Sequence, residues 1–407
     1  MVSELAESYD PLGAHLADPY PFYATARRRE PVFYSPRLDA WVVTRFRDVD
    51  AVLRDSAGFS SANSLRPVRA LFPATLAVLA EGFPPKPDHV TSDGPAHHRL
   101  RVPYTRHLTA PGRIAALEPR MRERAAALAA ALPRRADLVE RFAAPLPVGT
   151  AAELFGLDAG DVAVARAGSA ALFRLGSADV GEAAEAADAR TVVAFQRMLA
   201  GYVRARRAEP TGDLISDVVA ALAPGGAPLT ADQEAETVGT IGGTFGAAHI
   251  TTTDLIGNAV RLLLRHPDRW PPRLPPSHVV EETLRYESPV PTIFRLATRA
   301  AVLGGVRIPA GADVLLVFAS ANRDEERFPD GDRFDPTRTP SRHFGFGAGG
   351  HTCAGAGLAR VQTRIALAAL PGLTADADRP VVIRRSINVR GPLTLPVRTA
   401  RGRTPGD

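Results

Sequence analysis

From Pro111 to about Arg207, Leu, Val and Phe recur every third or fourth position among alanines and arginines, a spacing that predicts several consecutive helices. The longest helical pattern follows, in LTADQEAETVGTIGGTFGAAHITTTDLIGNAVRLLLRHPD. Thr230 with Gln233 has the form of a capping box and marks its start, and His266-Pro267 marks its stop. Such a helix of about 36 residues is about 54 Å long and crosses the molecule. Gly242, Gly243 and Gly246 lie in its middle, where each costs about 1 kcal/mol relative to alanine. They would permit a kink, loose helix packing or the close approach of a flat object. Elsewhere the period shortens. PVFYSPRLDAWVVTR reads as two short strands and a turn, after a short helix in DPYPFYATARRR. Past Tyr286, TIFRLATR, VRIP and DVLLVFAS read as strands, CAGAGLARVQTRIALAAL returns to helix, and VVIRR through LTLPVRTA reads as a final hairpin. The total is mainly α with a minor β portion.

With 407 residues and 45% hydrophobic content, the chain can bury a large core. Pro/Gly-rich breaks at Phe83–Pro87, Ala223–Pro228 and Trp270–Pro276 are too short for flexible interdomain linkers, so one domain over residues 1–407 is expected. No stretch of about 18 apolar residues occurs, and the acidic, proline-containing start does not read as a signal peptide or an anchor. No membrane and a cytoplasmic setting are therefore expected. The net charge of +5 comes from arginine, with Lys86 as the lone lysine. The arginines are spread rather than clustered, which argues against nucleic acid but allows a basic docking face.

The chain has one cysteine, which excludes an intramolecular disulfide and a multi-cysteine zinc site. It stands in HFGFGAGGHTCAG, after a run of glycines and before a helical pattern. Backbone N–H groups at a helix start favour a thiolate, glycines let a bulky partner approach, and a thiolate suits a soft metal centre. A buried cysteine beside a glycine turn would look the same locally.

FGAGGHTCAG fits the pattern F-x-x-G-x-[H/R]-x-C-x-G and resembles the haem-binding loop of the cytochromes P450. The resemblance implies the fold of that family, with the long helix over haem b and the cysteine loop beneath it. It implies that Cys353 is the axial thiolate ligand of the iron. His351 would bond a propionate, Phe346 would pack beside the sulfur, and Gly347 and Gly349 would allow the tight loop. Glu282 and Arg285 in EETLRY resemble the buried Glu–Arg pair of the family, and ANRDEERFPDGDRFDPTR resembles the segment that supplies its third member, here Arg333. His97 and Arg101 in DGPAHHRLR, with Arg295 in TIFRLATR, match propionate-binding positions. Arginine's planar, permanently charged fork suits carboxylates.

The long helix departs from the family pattern A-G-x-[D/E]-T-T. Its centre reads AAHITTTDLIGN, which aligns Thr251 with the threonine beside dioxygen, Ile250 with the usual acid and Ala248 with the usual glycine. Isoleucine cannot relay a proton, whereas Thr251 can still donate a hydrogen bond or order a water. Loss of general-acid help costs about 10²–10⁴-fold in the assisted step. Water and Thr251 could replace the acid and leave ordinary monooxygenation. The enzyme could instead perform coupling, desaturation or ring formation, use peroxide, or be a haem-binding sensor without turnover. His249 could join a water chain or simply pack. Asp254 could reroute a proton, though a solvated or capping role is expected.

The resemblance further implies an apolar or aromatic small-molecule substrate of bacterial secondary metabolism. Thr244, Ala247, Ala248, Pro291, Thr292, Ile293 and Phe294 would line its pocket. Electrons would come from a ferredoxin and ferredoxin reductase, docking near Arg101, Arg342, Arg360 and Arg364.

Overall fold

The computed structural model describes residues 3–177, 180–266, 274–339, 341–370 and 372–399. Most of the Trp270–Pro276 break lies outside them. The expected consecutive helices are Arg113–Ala130, Pro145–Phe155, Val162–Ser177 and Glu182–Ala208. A short strand at Arg135–Asp137 and a π-turn at Val139–Ala143 interrupt them, features that the helical spacing did not signal.

The long helix is Ala231–Arg265, 35 residues, and both halves of its capping box form: Gln233 N–H donates to Thr230 Oγ1 and Thr230 N–H to Gln233 Oε1. It is buried along most of its length and anchors the largest apolar cluster, with Ile241, Phe245, Leu255, Ile256, Val260 and Leu263 inside. Two of its central glycines meet neighbouring helices. A Cβ on Gly246 would lie 2.8 Å from the Phe173 ring, and one on Gly242 would lie 3.3 Å from both Leu199 and Phe195. The approximate 1 kcal/mol cost of Gly242 and of Gly246 is thus set against close packing with the 162–177 and 182–208 helices.

The main sheet has five strands, ordered Val32–Ser35, Ala40–Val43, Asp313–Val317, Thr292–Ala297 and Phe59–Ser60. Its two faces bury separate clusters: Phe33, Val42, Phe294 and Leu315 on one, Val43, Val314, Leu316 and Phe344 on the other. The expected C-terminal hairpin is divided between sheets. Val382–Ile383 pairs with Pro392–Thr394, while Pro396–Thr399 joins Arg135–Asp137 and Leu373–Ala375. Among the described residues, no helix is long and apolar enough to cross a membrane.

Candidate functional site

The cysteine loop is fixed at both ends. Phe344 is fully buried, its ring stacks on Phe46 at 4.4 Å, and its N–H donates to Asn322 Oδ1 at 2.7 Å. Gly347 and Gly349 take φ of +66° and +71°, the left-handed region that favours glycine. The chain then returns on itself, so that Cys353 N–H donates to Phe346 O at 3.0 Å. The following helix begins at Ala356 with Gly355 as its N-cap, so Cys353 stands just ahead of the helix and not within its first turn. Its thiol keeps accessible surface, yet the surrounding protein is dense enough that burial raises its pKa. The Gly355 N–H, Arg101 and Arg360 pull the other way. A coordinated metal would deprotonate such a thiol outright.

Beside the thiol lies a cluster of two histidines and two arginines. His97 comes from the Gly94–Thr109 helix and His351 from the cysteine loop, and their rings lie 4.0 Å apart. Arg101 donates to Thr352 O. Arg295 is buried and donates to Ser64 Oγ and Phe294 O. Among the described residues, Asp93 is the carboxylate that acts on His97, His351 and Arg295 together. It does not balance them. Burial holds Arg295 down to about 10, and burial with His97 and Arg295 holds His351 down to about 4. His97 Nε2 is buried with no partner. Buried polar groups are normally satisfied, so this cluster has the form of a receptor for carboxylates. An accessible thiol beside such a receptor fits a haem with its two propionates.

On the long helix, Ala247 is exposed and Thr244, Ala248 and Thr251 are half-buried, although His249, Ile250 and the stretch from Thr252 to Leu263 are buried. Open space therefore lies against one short face of the helix. Thr251 Oγ1 donates to Ala247 O at 2.8 Å and Thr252 Oγ1 to Ala248 O at 3.1 Å. His249 faces elsewhere: its Nε2 hydrogen-bonds Ser169 Oγ at 2.9 Å, and burial, aided by Arg166 and Arg384, holds it neutral with a pKa of about 3. Asp254 is neither solvated nor a cap. It is fully buried and paired with Arg384.

The strand after Tyr286 corrects part of the expected pocket. Phe294 is fully buried in the sheet cluster, with the Arg66 guanidinium 4.5 Å from its ring centroid. Thr292 is buried with its hydroxyl donated to Ile387 O at 2.8 Å, and Pro291 is buried too. Strand alternation sends Phe294 with Thr292 to the face of the Phe33–Leu315 cluster and puts Ile293, half-buried against the Val314–Leu316 cluster, on the same face as Arg295.

Glu282 and Arg285 form the expected buried pair, bidentate at 2.8 and 2.7 Å. Arg285 also donates to the carbonyls of Asn322, Gly331 and Arg333. The third member is corrected. Arg333 contributes only that carbonyl, its guanidinium being 64% exposed and 3.8 Å from Asp335. Arg338, 18% exposed, brings its Nε to 3.8 Å from Glu282. The two arginines are five residues apart, and the turn at Asp330–Arg333 sends the first outward. The roles of Ser64, Asp93 and Asn322 were not read from the sequence. Of these only Asp93, in the helix-start context DGP, carries a local signal.

The family model described as Cytochrome P450 matches residues 277–370, which hold both the Glu–Arg helix and the cysteine loop. Erythromycin C-12 hydroxylase of Saccharopolyspora erythraea is 38% identical over 370 residues, 87% of each chain. The solved structure of cytochrome P450 CREJ in complex with (4-ethylphenyl) dihydrogen phosphate matches with a TM-score of 0.89 and 31% identity, over 97% of this chain and 100% of that one. A mutant of P450 EryK in complex with erythromycin B matches with a TM-score of 0.77 and 36% identity, over 94% of this chain and 96% of that one. With the thiol loop, the carboxylate receptor and relatives that span nearly the whole sequence, the chain belongs to the cytochrome P450 family and is an oxidoreductase of its bacterial monooxygenase type.

Proposed function

We propose that residues 1–407 act as one cytoplasmic haem b monooxygenase that hydroxylates an apolar small molecule of secondary metabolism. The observation that carries this reading is the accessible Cys353 beside His97, Arg101, Arg295 and His351, a cluster in which, among the described residues, Asp93 is the one carboxylate that acts on both histidines and on Arg295. Haem, when bound, supplies dioxygen chemistry that no side chain can perform. Cys353 would hold the iron, with Gly347 and Gly349 shaping the loop and Phe346 packed beside it. His97, Arg101, Arg295 and His351 would hold the propionates and so fix the plane of the group. Thr251 would place its hydroxyl at the dioxygen site. Thr244, Ala247, Ala248 and Ile293 would border the substrate, and the small alanines leave room for a bulky one.

Hydroxylation is favoured over coupling or ring formation by the relatives, which include 6-deoxyerythronolide B hydroxylase and mycinamicin IV hydroxylase/epoxidase. Large, mostly apolar ring compounds are therefore the substrate class. A ferredoxin with its reductase would supply electrons. A cleft of about 390 Å³ lined by Arg54, Arg342, Phe346 and Arg360 lies against the cysteine loop. Arg342 pairs with Asp50 and Arg360 with Glu281, whereas Arg364 is exposed in a neighbouring cleft that shares Arg360 and Glu281.

Turnover of a macrolide panel beginning with erythromycin B, under isotopically labelled dioxygen, tests this function. One labelled oxygen atom per product molecule is expected. Products that carry no label from dioxygen would overturn it.

A further inference from the structure

The segment between the Pro73–Leu79 and Gly94–Thr109 helices carries Asp88 against the open face of the long helix. One oxygen of its carboxylate is fully engaged. Oδ1 accepts the Val90 N–H at 2.8 Å, the Thr91 N–H at 2.9 Å and the Thr91 hydroxyl at 2.9 Å. Thr91 Oγ1 in turn accepts the Asp88 N–H at 3.0 Å. These bonds fix the side chain and with it the direction of the second oxygen. A Cβ built on Gly243 would lie 3.4 Å from Asp88 Oδ2. Apart from the adjoining helix backbone, no other atom of the described residues comes within 4 Å of that position. Gly243 therefore opens onto space that Asp88 borders. It is half-buried and stands one turn before the exposed Ala247. From Gly243 to Thr251 the helix advances by about 12 Å.

The turn itself does not require this charge. An asparagine oxygen would accept the same bonds that Oδ1 accepts, and asparagine shares the preference for such turns. What the aspartate adds is a negative oxygen at the edge of the pocket. Among the described residues, no arginine or lysine pairs with it. Lys86, two positions earlier, pairs with Asp232 at 2.9 Å. Arg101 donates to Thr352 O, and burial makes the neighbouring His89 harder to protonate than an ordinary histidine. The nearby hydroxyls are committed as well. Thr244 donates to Thr240 O at 2.7 Å, and Tyr104 donates to Thr240 Oγ1 at 3.4 Å. Beyond Thr244 the open face offers only the small apolar surface of Gly243, Ala247 and Ala248. A cation would stabilise a carboxylate left in this state, and the attraction exceeds its value in water because the protein excludes part of the solvent.

We propose that Asp88 is a specificity-determining residue: its Oδ2 receives a cationic nitrogen, a protonated or quaternary amine, carried by an otherwise apolar substrate that lies along the open face of the long helix. This rests on the monooxygenase reading and narrows its substrate class. The length of the face puts the nitrogen about 12 Å from Thr251, so the carbon to be oxidised lies at the other end of the molecule from the charge. No bond forms or breaks at Asp88. The contact decides which molecules are retained and which end they present.

The test uses the haem-loaded full chain and two probes with the same ten-carbon chain, decyltrimethylammonium and decanol. The quaternary nitrogen keeps its charge at every pH and cannot coordinate iron. Dissociation constants are read by calorimetric titration. Decyltrimethylammonium is expected to bind about tenfold more tightly than decanol, an effect between those of a charge pair in water and at a protein surface. It should also displace decanol. Asp88→Asn keeps the acceptor of the turn and removes the charge, so the tenfold advantage should vanish. The advantage is a ratio within each variant, so a change that the substitution makes to the pocket itself cancels. Equal affinities in the unaltered protein, an advantage that survives Asp88→Asn, or a cation that binds without displacing decanol would each overturn the proposal. Failure of decanol to bind, or an unaltered protein without a thiolate-type carbon-monoxide spectrum, would instead overturn the reading beneath it.

Discussion

Glu282→Ala is expected to abolish recovery of folded, haem-loaded protein. The substitution leaves Arg285, whose side chain is 2% exposed, without its anion. Breaking one side of a buried pair costs about 3–5 kcal/mol, a large share of the margin of a typical domain. The damage would spread to the haem loop, because the same guanidinium holds the carbonyls of Asn322 and Gly331, and Asn322 Oδ1 caps the Phe344 N–H where the loop begins. Glu282 Oε1 also accepts the Asp335 N–H at 2.8 Å, which would lose its partner. Arg333→Ala should be mild by comparison, since its guanidinium is exposed and only its backbone serves the pair. Thermal unfolding and haem content of the two variants check this. Equal behaviour would show that the buried pair does not organise the loop.

The second large effect is expected at Gly349. Its φ of +71° costs an alanine about 1–2 kcal/mol. An added Cβ would also drive into the Leu53 carbonyl oxygen, a backbone atom of the Phe46–Arg54 helix that cannot rotate away. The loop would have to move, and Cys353 with it. Gly349→Ala should therefore lose haem while keeping most of its helix content. Gly350→Ala is the control, because open space surrounds that position. Haem retention in both variants would mean that the loop tolerates displacement and that the glycine run does not set the position of the thiol.

The long helix was legible to within a residue because its capping box is a local signal that forms in the structure, and the helix ends at Arg265 with His266 as its C-cap. The cysteine loop was legible because positive φ and a lone thiol leave a dense pattern of glycine and cysteine. What was not legible depends on contacts across the chain. Arg333 and Arg338 look alike in sequence, and only the turn between them decides which faces Glu282. Thr292 and Phe294 were read as pocket-lining, but the sheet's pleat sends both to the core. Asp254 reads as a surface acid on a helix until the hairpin brings Arg384 and Gly391 against it. The same holds for His249, whose partner Ser169 is 80 residues away in sequence.

The central claim is that Cys353 is the iron ligand. The carbon-monoxide difference spectrum of the reduced, haem-loaded protein, recorded beside Cys353→Ala, tests it most directly. A thiolate-type Soret shift that the substitution removes is the predicted result. Failure to bind haem, or a shift that survives Cys353→Ala, would contradict the account.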